Sequence, residues 1–364
     1  MATDRTPFLK IIHRSTLRDL LLTFSLSLAF LNSILMMEKL IRLSRLLSVV
    51  GASLFDMARI ILYIQPQLLM LTIPMSLLLS VLLVYGRMNL DSEIIVLKAS
   101  GMNFMSISRP VFIVGIFCFL ATLTVSFYIG PKSSVKLRET VAEIIATRST
   151  MALEEGTFNS SFKDVVIVVK GKKSTDTIED IFIYDNRRKD EPKVLMAKQG
   201  KFFAQDSGDI GLFLTNGYIN IMRGTMTTEL FFEKYNMVLS LDAESSAPRK
   251  MEFTPSQLLD QSRNIDSYKK KVAFYLELHR RFSLPAVCLV LAFLGPPLAL
   301  ASGKSGKLGG LALGLIVFVL YYTLLIYGEN LVNAGKIPHY AGAWLATTLM
   351  GIFSWVMFRK ESLR

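Results

Sequence analysis

Six long uncharged segments constrain the fold of this 364-residue chain more than any other feature. A helix that crosses the ~30 Å hydrocarbon core of a membrane needs roughly 20 mostly apolar residues. Segments of this kind occupy residues 20–37, 60–86, 110–131, 282–302, 308–328 and 341–358. The sequence therefore predicts six transmembrane helices, three before a long polar insert and three after it.

The first segment follows Lys10, Arg14 and Arg18, as the apolar core of a secretory signal peptide would. Such a core has ~7–15 residues and ends at a cleavage site of small residues. Here the uncharged segment continues into MMEKLIR, which offers no such site. We therefore interpret the segment as a retained transmembrane helix.

The net charge of +12 raises the possibility of nucleic-acid binding. The basic residues, however, are spread along the flanks of the predicted spans, and no aromatic-rich binding module accompanies them. Short segments on the side of both termini carry a clear excess of Lys and Arg, which is typical of cytoplasmic loops. The sequence thus predicts cytoplasmic termini, an insert on the outer side, and no nucleic-acid partner.

The insert begins with an amphipathic helical stretch and continues as short segments rich in β-branched and aromatic residues, such as VVIVVKG and IEDIFIYD. This pattern predicts an all-β domain, either a sandwich or a roll. Asn216–Gly217 between alternating flanks predicts a hairpin turn, and Thr254–Pro255 predicts the start of a helix that returns to the fourth span. The predicted domains are residues 1–131 with helices 1–3, residues 132–270 with the β-domain, and residues 271–364 with helices 4–6.

The stretch GRMNLDSEIIVLKASGMN lies between the second and third predicted spans. Asp91 and Glu93 suit the positive end of a helix dipole, Lys98 suits its last turn, and Gly101 suits the left-handed position after it. The stretch predicts a cytoplasmic helix of about three turns at residues 89–101. It could lie on the headgroups, but such helices usually carry basic faces, and the acids favour docking to a partner.

Sequence patterns for enzymatic chemistry are weak. Gly303, Lys304 and Ser305 resemble the end of a phosphate-binding loop, but its first glycine would fall at Leu298, within a predicted span. The spacing of the three histidines matches no catalytic or metal-binding motif, since they lie far apart at His13, His279 and His339. We therefore expect a chain that is not an enzyme and has no cofactor or metal of its own, so any ATP hydrolysis belongs to another subunit.

Basic residues on the outer side are an exception to the charge distribution. Lys39, Arg42 and Arg45 follow the first span at intervals of three, and Lys132 and Lys136 follow the third. Each could simply extend to headgroup phosphates. As a set they could bind an anionic lipid, because Arg offers a fork to phosphate oxygens and Lys a point charge. Further basic residues near the outer ends of spans three and four are Arg138, Lys269, Lys270, Lys271, Arg280 and Arg281.

Three segments together resemble the LptF/LptG permease family, the membrane subunits of the lipopolysaccharide export transporter. They are LDSEIIVLKASGM, MEKLIR and HRRFSLPAVCLVLAFLGPPLAL, and the similarity covers essentially the whole chain in order. The resemblance implies a periplasmic β-jellyroll between transmembrane helices 3 and 4 of a Gram-negative inner-membrane protein. It also implies a paralogous permease (LptF with LptG), an LptB ATPase dimer that uses ATP and Mg, and a bridge of LptC and LptA. The first-helix match favours LptF.

The resemblance also assigns roles to single residues. Glu93 resembles the acidic residue that couples the family's permeases to the ATPase, and Asp91 accompanies it in the same turn. Lys39 and Arg42 resemble basic residues that contact lipid phosphates, and the SGKSGK loop departs from some relatives. Three alternatives stay open, namely a permease for another lipid or for lipoproteins, a non-transporting scaffold for the β-domain, and a polytopic membrane enzyme.

Overall fold

The computed structural model describes residues 6–50, 53–152, 155–162, 164–172, 177–188, 191–204, 210–223, 226–239, 250–263, 265, 267–301 and 306–363. Its α-helices are α1 (Thr6–Val50), α2 (Leu54–Leu90), α3 (Glu93–Ala99), α4 (Phe104–Thr124), α5 (Gly130–Ala152), α6 (Pro255–Arg263), α7 (Tyr268–Ala301), α8 (Gly306–Asn333) and α9 (His339–Ser362). A π-helical turn, Val125–Ile129, joins α4 and α5. The strands are β1 (Asn159–Phe162), β2 (Val165–Lys172), β3 (Thr177–Asp185), β4 (Lys193–Ala204), β5 (Ile210–Arg223) and β6 (Met226–Leu239).

The chain forms two compact units. The helical unit contains Met1–Met36, Gln65–Pro131 and Phe253–Arg364, and the β-containing unit contains Met37–Ile64 and Lys132–Glu252. Among the described residues, six helical stretches are long and apolar enough to cross a membrane, and they correspond to the six predicted spans. The prediction of a helical membrane protein with six such helices and an inserted β-domain is confirmed.

Helices α2 and α7 lie at the centre of the helical unit. About 67% of the most apolar stretch of each is buried, against 11% for α1 and 28% for α8. Small residues allow close approach of neighbouring helices in membranes, and a Cβ atom on Gly328 of α8 would lie only 2.5 Å from the carbonyl oxygen of Gly342 in α9. The buried Tyr85 hydroxyl of α2 donates to the carbonyl of Ile107 in α4 at 2.7 Å. The bond between Tyr85 and Ile107 joins the end of α2 to the start of α4, and α3 lies between these two helices.

The return from the β-strands to the fourth span begins as predicted. Helix α6 starts at Pro255, and the side-chain oxygen of Gln257 accepts a hydrogen bond from the Thr254 backbone nitrogen at 2.8 Å. This is the return half of a capping box, in which a residue three positions into the helix binds back to the cap. The predicted role of Thr254 and Pro255 at the start of a helix is therefore confirmed.

The six strands form one antiparallel sheet in the order β1-β2-β3-β4-β5-β6. This order is a meander, whereas a jellyroll combines two Greek keys. The predicted hairpin turn at Asn216–Gly217 is wrong, because both residues lie within β5 and its pairing with β4 keeps the same register on either side. Asn216 has a φ of +52°, which Asn tolerates better than most residues. The next position requires glycine, because a Cβ atom on Gly217 would collide with the carbonyl oxygen of Met196.

A line of unpaired residues, which we call the crease, crosses the sheet from β2 to β6. In each strand from β2 to β6, one residue has no Cα partner on a neighbouring strand, and these residues are aligned across the sheet. All five are exposed, and they are Lys170, Asp180, Lys198, Asn216 and Glu233. The alternation of buried side chains inverts across the crease, so that Leu214 and Ile219 of β5 are both buried. Buried residues from both sides of the crease join one apolar cluster. The sheet is therefore folded along the crease around an apolar interior.

Arg187 connects strands from the two sides of the crease. Its guanidinium forms a bidentate pair with Asp185 at the end of β3, at 2.8 Å and 2.7 Å, and donates to the carbonyl of Val238 in β6 at 2.7 Å. Burial alone would raise the pKa of the Asp185 carboxyl, but the hydrogen bonds from Arg187 outweigh burial and hold that pKa below its ordinary value. The ionised pair thus stabilises the folded sheet.

Candidate functional site

The short acidic helix α3 has a well-defined C-terminal end. Gly101 adopts a φ of +86°, its nitrogen donates to the carbonyl of Lys98 at 3.0 Å, and the nitrogen of Met102 donates to that of Leu97 at 3.1 Å. This bonding pattern is the Schellman motif, which satisfies the last carbonyl groups of a helix. The predicted left-handed conformation of Gly101 is confirmed.

Helix α3 is shorter than the three turns that the sequence predicts. It comprises Glu93–Ala99, inside the predicted range of residues 89–101, because α2 continues to Leu90 and Ser92 adopts a left-handed φ of +60° between the two helices. Asp91 accordingly lies in the linking turn, whereas Glu93 occupies the first turn of α3. The backbone break at Ser92 therefore separates the two predicted coupling acids.

The exposed face of this segment combines acids and apolar side chains. Asp91 and Glu93 are exposed, and the neighbouring Ile95 and Val96 expose 61% and 65% of their surface. Ile94, by contrast, is buried in the core of the helical unit with 2% exposure. A surface that joins carboxylates to exposed β-branched residues is suited to a protein partner with basic and apolar groups.

Two ion pairs connect this segment and the end of α2 to other helices. The Lys98 ammonium lies 3.8 Å from the carboxylate of Glu361 near the end of α9, and 5.3 Å from the ring centroid of Phe104. At the end of α2, Arg87 donates to the carboxylate of Asp19 in α1 at 2.7 Å. Sequence reasoning missed the Lys98–Glu361 pair, because nothing in the local pattern of either helix indicates a contact between residues so distant in the chain.

The predicted lipid-phosphate residues lie on two helices. Lys132 and Lys136 are exposed one turn apart on α5, and neither forms an ion pair within the part of the chain that the structure describes. Lys39 of α1 is half-buried, and Arg42 and Arg45 also lie in α1, but their side chains are outside the described residues. The structure thus brings together the two lysines of α5, and it joins neither of them to the residues of α1 by a described contact.

Two basic residues that could have contacted headgroups are paired inside the helical unit instead. Arg281 is only 4% exposed, its Nε lies 3.5 Å from the Glu277 carboxylate, and its Nη1 donates to the carbonyl of Phe253. Arg280 lies 3.4 Å from Glu329 of α8 and 4.0 Å from Glu277. The spacing of Glu277 three and four residues before the arginines was the sequence signal for this cluster.

The described part of the chain assembles no candidate metal site. No group of three or more His, Cys, Asp or Glu side chains there could hold a metal ion. The rings of His279 and His339 lie 5.3 Å apart beside Tyr275, where they form an aromatic cluster. The loop with Gly303, Lys304 and Ser305, which the sequence predicts to be a turn between spans, lies outside the described residues.

Comparisons with known proteins agree with this arrangement. The model of the family "Lipopolysaccharide export system permease LptF/LptG" matches residues 14–360 of the chain. The lipopolysaccharide export system permease protein LptF of Escherichia coli (strain K12) is 23% identical over 277 residues, which cover 74% of this chain and 73% of that protein. The uncharacterized protein RP871 of Rickettsia prowazekii (strain Madrid E) is 25% identical over 265 residues, or 69% of this chain and 70% of the relative.

Proposed function

The chain belongs to the LptF/LptG family of lipopolysaccharide export permeases, and we propose that it is the permease subunit of an ATP-driven transporter. In this proposal it extracts lipopolysaccharide from the inner membrane and passes it to a periplasmic bridge of LptC and LptA. The observation that carries the proposal is the family match over nearly the whole chain, combined with six apolar helices and a folded β-sheet. The similarity to LptF of E. coli supports an LptF role.

In the proposed complex, α3 docks onto a dimer of the ATPase LptB, which binds and hydrolyses ATP with Mg. Asp91 and Glu93 provide charge for this contact, and Ile95 and Val96 provide apolar area. Nucleotide-driven movement of the ATPase can shift the helices only if the ATPase contacts differ between two states. Both termini are then cytoplasmic, on the same side as α3.

The β-containing unit is periplasmic in this proposal and receives the lipid. Its folded sheet encloses apolar side chains from both sides of the crease, which provides an environment for acyl chains. The exposed apolar faces of α1 and α8, including Leu26, Phe30 and Ile316, are available to membrane lipid and to the paralogous permease LptG. These faces support a heterodimer of permeases around the lipid path.

The proposed function is tested by purifying the tagged full-length chain in mild detergent from its native host. We expect an ATPase, a second permease of the same family and lipopolysaccharide to co-elute, with ATP hydrolysis in the eluate. If an ATPase co-elutes with a different lipid or a lipoprotein, the chain is a permease of another exporter. A chain that binds no ATPase, even when one is supplied, would be a scaffold or an enzyme.

Lys132 and Lys136 are proposed to bind lipid phosphates together with Lys39, Arg42 and Arg45. Each lysine near an anionic lipid surface contributes about 1 kcal/mol. The double change of Lys132→Ala and Lys136→Ala is therefore expected to weaken retention of lipopolysaccharide by roughly thirtyfold. The measurement is the ratio of co-purified lipopolysaccharide to protein over a detergent-wash series.

The matched control removes two exposed lysines from the same unit. Lys170→Ala with Lys198→Ala removes the same charge from the crease, and it is expected to leave lipid retention unchanged. If both double variants lose the same amount of bound lipopolysaccharide, then positive charge in general, rather than a phosphate site on α5, retains the lipid.

A further inference from the structure

The C-terminal end of α9 holds the last turn of α3. The Glu361 carboxylate lies 3.8 Å from the Lys98 ammonium, and the two side chains are only 16% and 29% exposed. The same ammonium lies over the Phe104 ring at the start of α4, where a cation and an aromatic face attract each other. Lys98 thus connects three helices through one charged group.

The end of α9 is itself fixed by aromatic packing. The Phe358 ring, which is 6% exposed, lies 5.2 Å from that of Phe104 in α4 and 5.5 Å from that of Phe293 in α7. Phe112 of α4 completes the cluster, with its ring 4.5 Å from Phe293. Because close-packed interiors have low compressibility, the turn that carries Glu361 cannot move independently of α4 and α7.

Few side chains hold helix α3 in the helical unit. It has seven residues, of which Ile94 is fully buried and Leu97 is partly buried against the same core. A force applied at Glu93, on the first turn, would tilt so short a helix about Ile94 unless its last turn were also held. Leu97 packs this last turn against the core, and the pair between Lys98 and Glu361 connects it to the end of α9.

We propose that Glu361 is a positioning residue for energy coupling, which holds α3 through Lys98 so that movement of a docked ATPase displaces α4, α7 and α9 together. This inference rests on the proposed function, in which the ATPase binds α3. It adds the end of the last helix to the coupling element, with Phe358 anchoring that end.

A role in positioning and a role in stability predict different results for this pair. Ion pairs between partly exposed groups contribute little to stability, and both side chains are partly exposed. Removal of the pair should therefore leave the melting temperature nearly unchanged. Lipid transferred per ATP hydrolysed should fall, because the ATPase then moves α3 without moving the bundle.

The test is a double-mutant cycle on the full transporter reconstituted in proteoliposomes, with Lys98→Met, Glu361→Gln and both changes together. We expect each single variant to retain the ATPase and to transfer about fivefold less lipopolysaccharide per ATP. The double variant should lose no more than a single one, because the two residues act through each other. The control Asp19→Asn removes an acid from the neighbouring Arg87 pair and should behave as the wild type.

The possible failures are distinguishable. Two results would overturn this inference but not the proposed function. In the first, the losses of transfer per ATP in Lys98→Met and Glu361→Gln multiply in the double variant. In the second, Glu361→Gln transfers as much lipid per ATP as the wild type. A fall in melting temperature that accounts for the lost transfer would assign the pair to stability and would also overturn it. A wild-type chain that binds no ATPase would overturn the proposed function, and this inference with it.

Discussion

Glu93→Arg is expected to abolish ATP-driven transfer of lipopolysaccharide by detaching the ATPase from this chain. Glu93 is exposed in the first turn of α3, next to Ile95 and Val96. In the proposed complex Glu93 pairs with a basic group of the ATPase, and reversing its charge would leave that group buried without its acid and facing a like charge. Loss of one partner of a buried interfacial pair costs about 2–5 kcal/mol, which weakens binding by roughly thirty- to several-thousandfold. The measurement is the affinity of the purified ATPase for the permease complex.

Two controls separate docking from effects on the helix. Glu93→Gln removes the charge and its interaction with the helix dipole, which is worth about 0.3–1 kcal/mol, and should give an intermediate affinity. Glu233→Arg reverses an exposed acid on the crease of the β-containing unit and should leave ATPase binding unchanged. Normal binding of the ATPase to Glu93→Arg would show that the acid does not contribute to docking.

The transmembrane helices could be predicted because the requirement that produces them is local. Within a membrane, the backbone N–H and C=O groups of a span must bond to each other inside that span, and its side chains must be apolar over a sufficient length. Each long uncharged segment therefore predicts one helix. The Schellman end of α3 was predictable for the same reason, since a glycine such as Gly101 can adopt the left-handed conformation at little cost. These features depend on a few neighbouring residues, and the sequence contains all of them.

The crease could not be predicted, because it is a property of five strands together. Asn216–Gly217 carries a strong local turn signal, yet the strand continues through it in register with both neighbours. The left-handed conformation of Asn216 inverts the side-chain alternation of β5, and aligned irregularities on the other strands do the same. A local pattern cannot distinguish a turn that reverses the chain from a left-handed residue that bends a strand.

The candidate site divides in the same way. The exposure of Asp91 and Glu93 followed from their position between two spans, whereas the partner of Lys98 lies at the other end of the chain. Arg281 is the intermediate case. Glu277 lies four residues before Arg281, a spacing that indicates a pair within one helix. The bond of Arg281 to the Phe253 carbonyl, by contrast, depends on how the segment before α6 contacts α7. The sequence therefore indicates contacts within one helix, whereas contacts between helices become known only from the structure.

Arg281→Leu is expected to destabilise the helical unit by about 3 kcal/mol, a value at the lower end for a broken buried ion pair. The 4% exposed guanidinium satisfies the carbonyl of Phe253 and pairs with Glu277. Leucine fills similar volume but leaves that carbonyl without this donor, which costs about 1–3 kcal/mol. Glu277 keeps Arg280 at 4.0 Å, and this remaining pair limits the loss. The measurement is the free energy of unfolding in mixed micelles, from denaturant titration.

Arg280→Leu provides the matched control, because it removes the same charge from the preceding residue of the same helix. Arg280 is 30% exposed and contacts two acids, Glu277 at 4.0 Å and Glu329 at 3.4 Å. By charge alone its loss should be the more costly, since it leaves Glu329 without this partner. By burial the loss of Arg281 should be the more costly, because solvent reaches Arg280 and screens its pairs. We expect burial to decide. An Arg280→Leu variant as unstable as Arg281→Leu would show that charge balance, and not the buried bond to Phe253, stabilises the contact between α7 and the segment before α6.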